Sequence, residues 1–431
     1  MVDDAMTKPP LLGTRRFAPL FWVQALGAFN DQVFKTGFLV LLTYRLAAEM
    51  GLNASLHNTI AGALFIVPFA LVAPTAGMVA DGVDKARMMR VIKALEIALM
   101  VLGAVAFHVQ SLGLLYALLF AMGAQSALFA PIKYGVLPQY LAPRELARGN
   151  GIIQAATFMA ILLGQIVGAK LVLTDHGVTA ISAGVIAVAI LGFVASLFAP
   201  PAPPPGAPPP VDWVLPRAMW SIVREGRKVP RAFRPILGSA WFWFTGAVFL
   251  ALLPPYTLEG LHGTDGVFIL LLSTFSVGVA MGALLCARIF GETPAVPMAA
   301  WGAGGIALAS VALWPATVFW RAGVDFAGPL TAFGGFAGDP RAWPVIGCFA
   351  VLAGCSGLYL TPMNIVLQRE APADARGRFV ACSNTVDALA MAGSAVLVAL
   401  LLGVGLRQWD IYALVGATGF LAAFWAARRG Q

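Results

Sequence analysis

The sequence predicts an all-α membrane protein with 12 transmembrane helices in two six-helix bundles. Three observations carry that fold class. Hydrophobic residues make up 59% of the chain and charged residues only 11%, with a mean hydropathy of +0.83; a soluble domain carries about 25% charged residues. The apolar runs are long and continuous, each near the ~20 residues a bilayer requires, whereas a transmembrane barrel would show short alternating strands. A proline-rich divider, Pro200-Pro-Ala-Pro-Pro-Pro-Gly-Ala-Pro-Pro-Pro210, stands mid-chain with six candidate spans on either side.

Taken in order, those spans are Phe17–Leu46, Leu56–Ala80, Met88–His108, Leu112–Leu137, Gly149–Leu173 and Val178–Ala199 before the divider. After it come Phe233–Leu258, Val267–Phe290, Val296–Pro315, Trp343–Leu367, Phe379–Leu402 and Trp409–Ala427. The ninth is the weakest, because the Gly/Pro-rich stretch Thr317–Pro340 reads equally as a loop or a re-entrant piece. The expected organisation is a tail over residues 1–16, a bundle over 17–199, a linker over 200–232, a second bundle over 233–427 and a tail over 428–431. The polar start leads straight into a segment too long for a signal-peptide core, so no cleaved leader is expected.

Lys and Arg set the orientation, since they gather in cytoplasmic loops. Lys85, Arg87 and Arg90, then Arg144 and Arg148, then the run from Arg217 to Arg234, then Arg288, and finally Arg369, Arg376 and Arg378 fall on one side. The other side has little more than Lys170, Arg321, Arg341 and Arg407. Both termini are therefore expected in the cytoplasm. The net charge of +8 is accounted for by such loops facing anionic lipid, with no nucleic-acid partner.

The proline run reads as a stiff, extended linker. Val214–Arg231 follows as a basic stretch with interleaved Trp and Met, suited to lying on the inner membrane surface. The two halves also resemble each other. Val136-Leu-Pro-Gln-Tyr-Leu-Ala-Pro-Arg-Glu-Leu-Ala-Arg-Gly-Asn150 and Val366-Leu-Gln-Arg-Glu-Ala-Pro-Ala-Asp-Ala-Arg-Gly-Arg378 share Val-Leu, Gln, Pro, an acid and Ala-Arg-Gly in corresponding places. A repeat at six-helix separation implies bundles related by an axis along the membrane normal.

No Walker A sequence, HExxH, Cys/His metal spacing or nucleophile triad is visible, so neither catalysis nor a metal or other cofactor is expected. Cys286, Cys348, Cys355 and Cys382 lie in or beside apolar segments and read as small buried hydrophobes.

Function is sought where polarity is expensive. Asn30, Asp31 and Lys35 sit halfway along the first span. An ionisable residue at that depth costs about 2.5–3.5 kcal/mol and usually faces a polar cavity or a partner. Spaced i,i+4, Asp31 and Lys35 share one helical face and can partly neutralise each other. They suit a group carrying both charges; the competing reading is a structural ion pair. Glu96, Gln125, Lys133, Gln154 and Asp387 are the other polar candidates inside spans. Glu96 and Lys133 could instead pair, Lys133 could snorkel, and Asp387 could serve packing.

Between the second and third spans stands Gly77-Met-Val-Ala-Asp-Gly-Val-Asp-Lys-Ala-Arg-Met-Met-Arg90. Glycine permits close helix approach, and Asp81 is placed to cap the next helix or pair with Arg87 or Arg90. This loop resembles the cytoplasmic signature of the major facilitator superfamily, which implies the major facilitator fold. The resemblance also implies a latch, formed by Gly77, Asp81, Arg87 and Arg90, that holds the outward-open state.

Phe29-Asn-Asp-Gln-Val-Phe-Lys35, Lys93-Ala-Leu-Glu96 and Gly123-Ala-Gln-Ser-Ala-Leu-Phe-Ala-Pro-Ile-Lys-Tyr-Gly135 look like the lysophospholipid transporter branch of that superfamily. The likeness extends through Gly149-Asn-Gly and Thr157–Gly168 and is weak after the linker. It implies transport of lysophosphatidylethanolamine-type lipids from the outer to the inner leaflet of a bacterial inner membrane for reacylation, by alternating access. Some members of the branch carry a fused acyltransferase; this chain has none, so a separate acyltransferase partner and a monomeric transporter are expected. Against that substrate, Asp31, Glu96 and Asp387 would meet the ammonium, and Lys35 and Lys133 the phosphate. Asn30, Gln125 and Gln154 would add neutral hydrogen bonds. The aromatic run Ala240-Trp-Phe-Trp-Phe-Thr-Gly246 would form an apolar wall for the acyl tail. The rival is a proton-coupled exporter of drugs or small metabolites with Asp31 as proton carrier. The nearby Lys35 opposes it, because a cation lowers a carboxylate pKa and hinders protonation.

Overall fold

A computed structural model describes residues 11–51, 54–291 and 295–428 of the protein. The expected ends of both tails, residues 1–10 and 429–431, lie outside the described residues. The first half runs α1 (Ala18–Leu41), α2 (Ala47–Met50), α3 (Ala54–Leu71), α4 (Ala73–Gly82), α5 (Lys85–Val109), α6 (Leu112–Tyr140), α7 (Leu146–Val172) and α8 (Gly177–Leu197). After the linker come α9 (Leu215–Arg227), α10 (Pro230–Pro255), α11 (Asp265–Phe290), α12 (Ala299–Arg321), α13 (Phe333–Gly338), α14 (Trp343–Glu370), α15 (Arg376–Gly403) and α16 (Gln408–Arg428).

Ten described helices are long and apolar enough to cross a membrane, or up to 11 if one bent pair is a single span. That pair is the second expected span, broken by 44° between Leu71 and Ala73. Pro74, in the first turn of α4, cannot donate to the helix before it, which accounts for the break. The first expected span, α1, is not among the ten. At 24 residues it is long enough, about 36 Å at 1.5 Å per residue, but Gln24, Asn30, Asp31, Gln32 and Lys35 dilute its apolarity. The ninth span runs longer than expected: α12 continues through Pro315 and Thr317 to Arg321. Trp320 Nε1 then donates to the Leu261 carbonyl at 2.8 Å and anchors the helix end. Of the remaining stretch, residues 333–338 form the short α13.

The chain folds as two compact units, Met1–Pro230 with Gln368–Thr385, and Arg231–Leu367 with Val386–Gln431. The first unit thus takes in a segment from the second half of the chain. In it, α1 packs on α7 and α8, α5 on α6 and α8, and α3 and α4 on α6. Its apolar core includes Phe34, Phe38, Phe107, Leu119 and Ile181, with the Phe34 and Phe107 rings edge to face at 5.1 Å. In the second unit α12 packs along α16. Of the aromatic run, Phe242 lies in this unit's core while Trp241, Trp243 and Phe244 are half-buried. Phe242 is buried against Tyr359, and Trp241 Nε1 donates to Thr418 Oγ1 at 2.9 Å. Among the cysteines, Cys286 and Cys382 are buried, while Cys348 and Cys355 are half-buried.

Candidate functional site

The polar residues of the first unit converge because of how closely α7 approaches α1. Gly164 and Gly168 form a G-x-x-x-G stripe, the small-residue spacing that lets membrane helices touch backbone to backbone. A Cβ on Gly164 would lie 2.6 Å from the Phe29 carbonyl oxygen, and one on Gly168 would lie 2.6 Å from that of Val33. The contact flanks Asn30 and Asp31, so α7 fixes the position of the polar stretch of α1.

At the centre is an ion pair that the sequence reading did not single out. Lys93 Nζ and Glu96 Oε2 are 2.5 Å apart on α5, and each residue is only 2% exposed. Glu96 also accepts from Asn30 Nδ2 and from Gln125 Nε2, each at 3.2 Å. A buried carboxylate needs such company, because a charge taken out of water is tolerated only when paired and hydrogen-bonded. Glu96 is therefore engaged by Lys93, not by Lys133. The signal was present in the sequence as a Lys and a Glu spaced i,i+3 within an apolar helix. Among the described residues Asn30 Oδ1 is buried without a hydrogen-bond partner, an acceptor left over in this cluster.

Beside this buried layer lies a half-buried one. Asp31 Oδ2 accepts from Ser126 Oγ at 2.6 Å, and Ser126 in turn meets Gln125 Oε1 at 3.3 Å. Lys35 Nζ lies 5.1 Å over the Phe65 ring. Asp31 and Lys35 act on each other electrostatically, as their spacing implies, without forming a salt bridge. Their side chains turn to different neighbours, a hydroxyl on α6 and a ring on α3, although they share a helical face. Both residues are half-buried and lie one helical turn apart on one face of α1.

The other candidates are more dispersed. Lys133 is half-buried on α6, 4.5 Å over the Tyr134 ring. Gln154 is buried on α7. Asp387 belongs to the second unit, where it accepts from Ser239 Oγ at 3.1 Å.

The signature loop divides into two contacts. Asp81 accepts from the backbone N–H groups of Gly377 at 2.6 Å and Arg378 at 3.0 Å, and from Arg378 Nε at 3.2 Å. It satisfies the first-turn donors of α15, where a carboxylate also complements the helix dipole. Gly77 makes room for this: a Cβ there would meet the Gly377 carbonyl at 2.7 Å. Asp81 therefore does not cap α5, nor does it pair with Arg87 or Arg90. Asp84 caps α5, accepting from the Arg87 N–H at 2.8 Å. Arg90 instead donates to the Ser196 and Ala199 carbonyls at the end of α8.

A second tie joins the two repeated loops. Asn150 and Gln368 exchange amide hydrogen bonds of 3.0 and 2.8 Å, both residues buried. The proline linker is bound down as well: Ala202 exchanges hydrogen bonds with Asp84 Oδ2 and Lys85 N, and Tyr140 donates to the Pro200 carbonyl.

Comparison with known proteins places this geometry. The family model described as Major Facilitator Superfamily matches residues 21–395. The chain is 27% identical over 396 residues to the lysophospholipid transporter LplT of Serratia proteamaculans (strain 568), covering 89% of this chain and 88% of the relative. It is 28% identical over 296 residues to the LplT of Yersinia pestis (strain Pestoides F), covering 67% and 68%. Among solved structures, the human organic anion transporter MFSD10 superposes with a TM-score of 0.73 at 15% identity, over 97% of this chain and 100% of that one. The proton:xylose symporter XylE superposes with a TM-score of 0.68 at 13% identity, over 96% and 97%. At such identities these two likenesses speak to the fold.

Proposed function

The chain belongs to the Major Facilitator Superfamily, and from that premise we propose that it is a lysophospholipid transporter. It moves lysophosphatidylethanolamine-type lipids from the outer to the inner leaflet of a bacterial inner membrane, where a separate acyltransferase restores the second chain. It works as a monomer by alternating access, with both termini cytoplasmic and no catalytic step of its own. The observation that carries the reading is the placement of Asp31 and Lys35, half-buried and one turn apart within α1, neither of them in a salt bridge among the described residues. The likeness to the LplT relatives over most of the chain supports it.

In this reading Asp31 receives the ammonium and Lys35 the phosphate as a point charge. Lys93 and Glu96 neutralise each other behind them and hold Asn30 and Gln125 in place. Lys133 and Gln154 are further substrate-binding residues of the first unit, and Asp387 is one of the second. Gly77 and Asp81 act as the latch by docking the start of α15; Arg87 and Arg90 support the adjoining helix ends.

The test is uptake of labelled lysophosphatidylethanolamine into spheroplasts lacking endogenous transport, with and without a protonophore. Wild type is expected to take up the lipid in both conditions, and Asp31→Asn and Lys35→Ala each to lose at least about tenfold, the cost of one ~1.5–3 kcal/mol charged hydrogen bond. Uptake no higher than empty vector sinks the lipid assignment and favours the proton-coupled exporter.

A further inference from the structure

The end of the first unit that carries Asp81 also holds a cavity of about 760 Å³ that the transport reading leaves unused. Its walls come from α9 and the residues just after it, the turn between α14 and α15, and the first turn of α15. Arg217, Arg224, Lys228 and Arg378 supply cations, against the carboxylates of Glu225 and Asp374. Two of the cations are already engaged. Arg217 pairs with Asp212 at 2.6 Å and holds that carboxyl below the usual carboxylate range. Arg378 bridges Asp81 and Glu225. Among the described residues no salt bridge engages Arg224 or Lys228, and both are exposed.

The same helix is two-faced. Ala218, Ile222 and Gly226 are buried on the first unit, while Trp220 stands 65% exposed and Trp213, just before the helix, 72%. Indole rings so placed favour the headgroup layer of a membrane, and clustered Lys and Arg on an amphipathic helix favour anionic lipid. A soluble phosphate compound would make use of the cations but not of the two indoles.

We propose that this cavity seats the phosphate head of an anionic phospholipid from the adjoining leaflet. Arg224 and Lys228 hold the phosphate, and Trp220 lies along the glycerol and the start of the acyl chains. Arg378 forms part of the cavity wall and also donates to Asp81, so the bound lipid sits one side chain away from the docking of α15. This site is separate from Asp31 and Lys35 and does not depend on which substrate is carried.

The full-length protein in detergent is titrated with phosphatidylglycerol or phosphatidylcholine of identical chains, and retained lipid is counted by native mass spectrometry. A parallel titration uses phosphatidylglycerol brominated near the glycerol and reads tryptophan quenching. Wild type is expected to retain phosphatidylglycerol in preference, with quenching that diminishes in Trp220→Phe. The pair Arg224→Gln with Lys228→Gln should weaken retention about tenfold or more, whereas Arg224→Lys with Lys228→Arg should keep most of it. Equal retention of the two lipids by wild type overturns the proposal, and so does unchanged retention in the glutamine pair. Full displacement by glycerol 3-phosphate also overturns it, because the cavity would then serve a soluble phosphate. Should the glutamine pair fold poorly, the wild-type lipid preference and the Trp220 quenching decide the matter without it.

Discussion

At the scale of single residues, Glu96 accepts from Lys93, Asn30 and Gln125 where it and Lys93 are both buried. Breaking a buried pair by removing one partner leaves an uncompensated charge and costs about 3–5 kcal/mol, while replacing both with apolar groups is often close to neutral. Lys93→Met is therefore expected to lower the melting temperature of the purified protein sharply, and adding Glu96→Met to recover most of the loss. A double variant no more stable than the single would show that the pair is not the structural element described. Asp31 and Lys35 behave differently, because neither is consumed by a salt bridge. Their loss should appear in uptake far more than in stability.

At the scale of helices, the seam between α1 and α7 positions the site. Gly164→Val or Gly168→Val forces side-chain atoms onto the α1 backbone beside Phe29 and Val33. Overpacking of this kind costs about 1–3 kcal/mol or more, and displacing α1 carries Asn30 and Asp31 with it. Uptake is expected to fall several-fold in both variants. Gly184→Ala on α8, where an added Cβ meets nothing within 4 Å, should leave uptake unchanged. If all three variants behave alike, the close seam is not what places the site. The break between α3 and α4 belongs to this scale too, and it brings Gly77 and Asp81 onto the start of α15.

At the scale of the whole molecule, residues 368–385 fold with the first unit through Asp81 and through the Asn150–Gln368 pair. A hydrogen bond to a charged acceptor contributes about 1.5–3 kcal/mol. In Asp81→Ala the amides of Gly377 and Arg378 should exchange with deuterium about 10- to 100-fold faster, while those in the middle of α7 are unaffected. Unchanged exchange at 377 and 378 would remove the basis for a latch. Orientation is tested by reporter fusions. Junctions after Lys228 and near the C-terminus should report cytoplasm, and a junction in the turn after Val172 should report the opposite side.

The sequence by itself determined the helical membrane class, most span positions within a few residues, the central linker and the polar stretch of α1. Hydropathy and proline act locally, so they can be read along a line. It also marked the loops that the structure joins, since Asn150 and Gln368 both come from the repeated segments. Only the tertiary structure decided which charges meet. Glu96 pairs with Lys93 rather than Lys133, Asp31 accepts from Ser126 without a salt bridge to Lys35, and Asp81 meets the first turn of α15 rather than its own neighbours. The physical reason is that a buried charge is satisfied by whichever donor the packed helices bring within about 3 Å. Sequence spacing puts Lys93 beside Glu96 on one helix, but the donors from other helices, Ser126 to Asp31 and the first turn of α15 to Asp81, are set by helix crossings, the latter through Gly77.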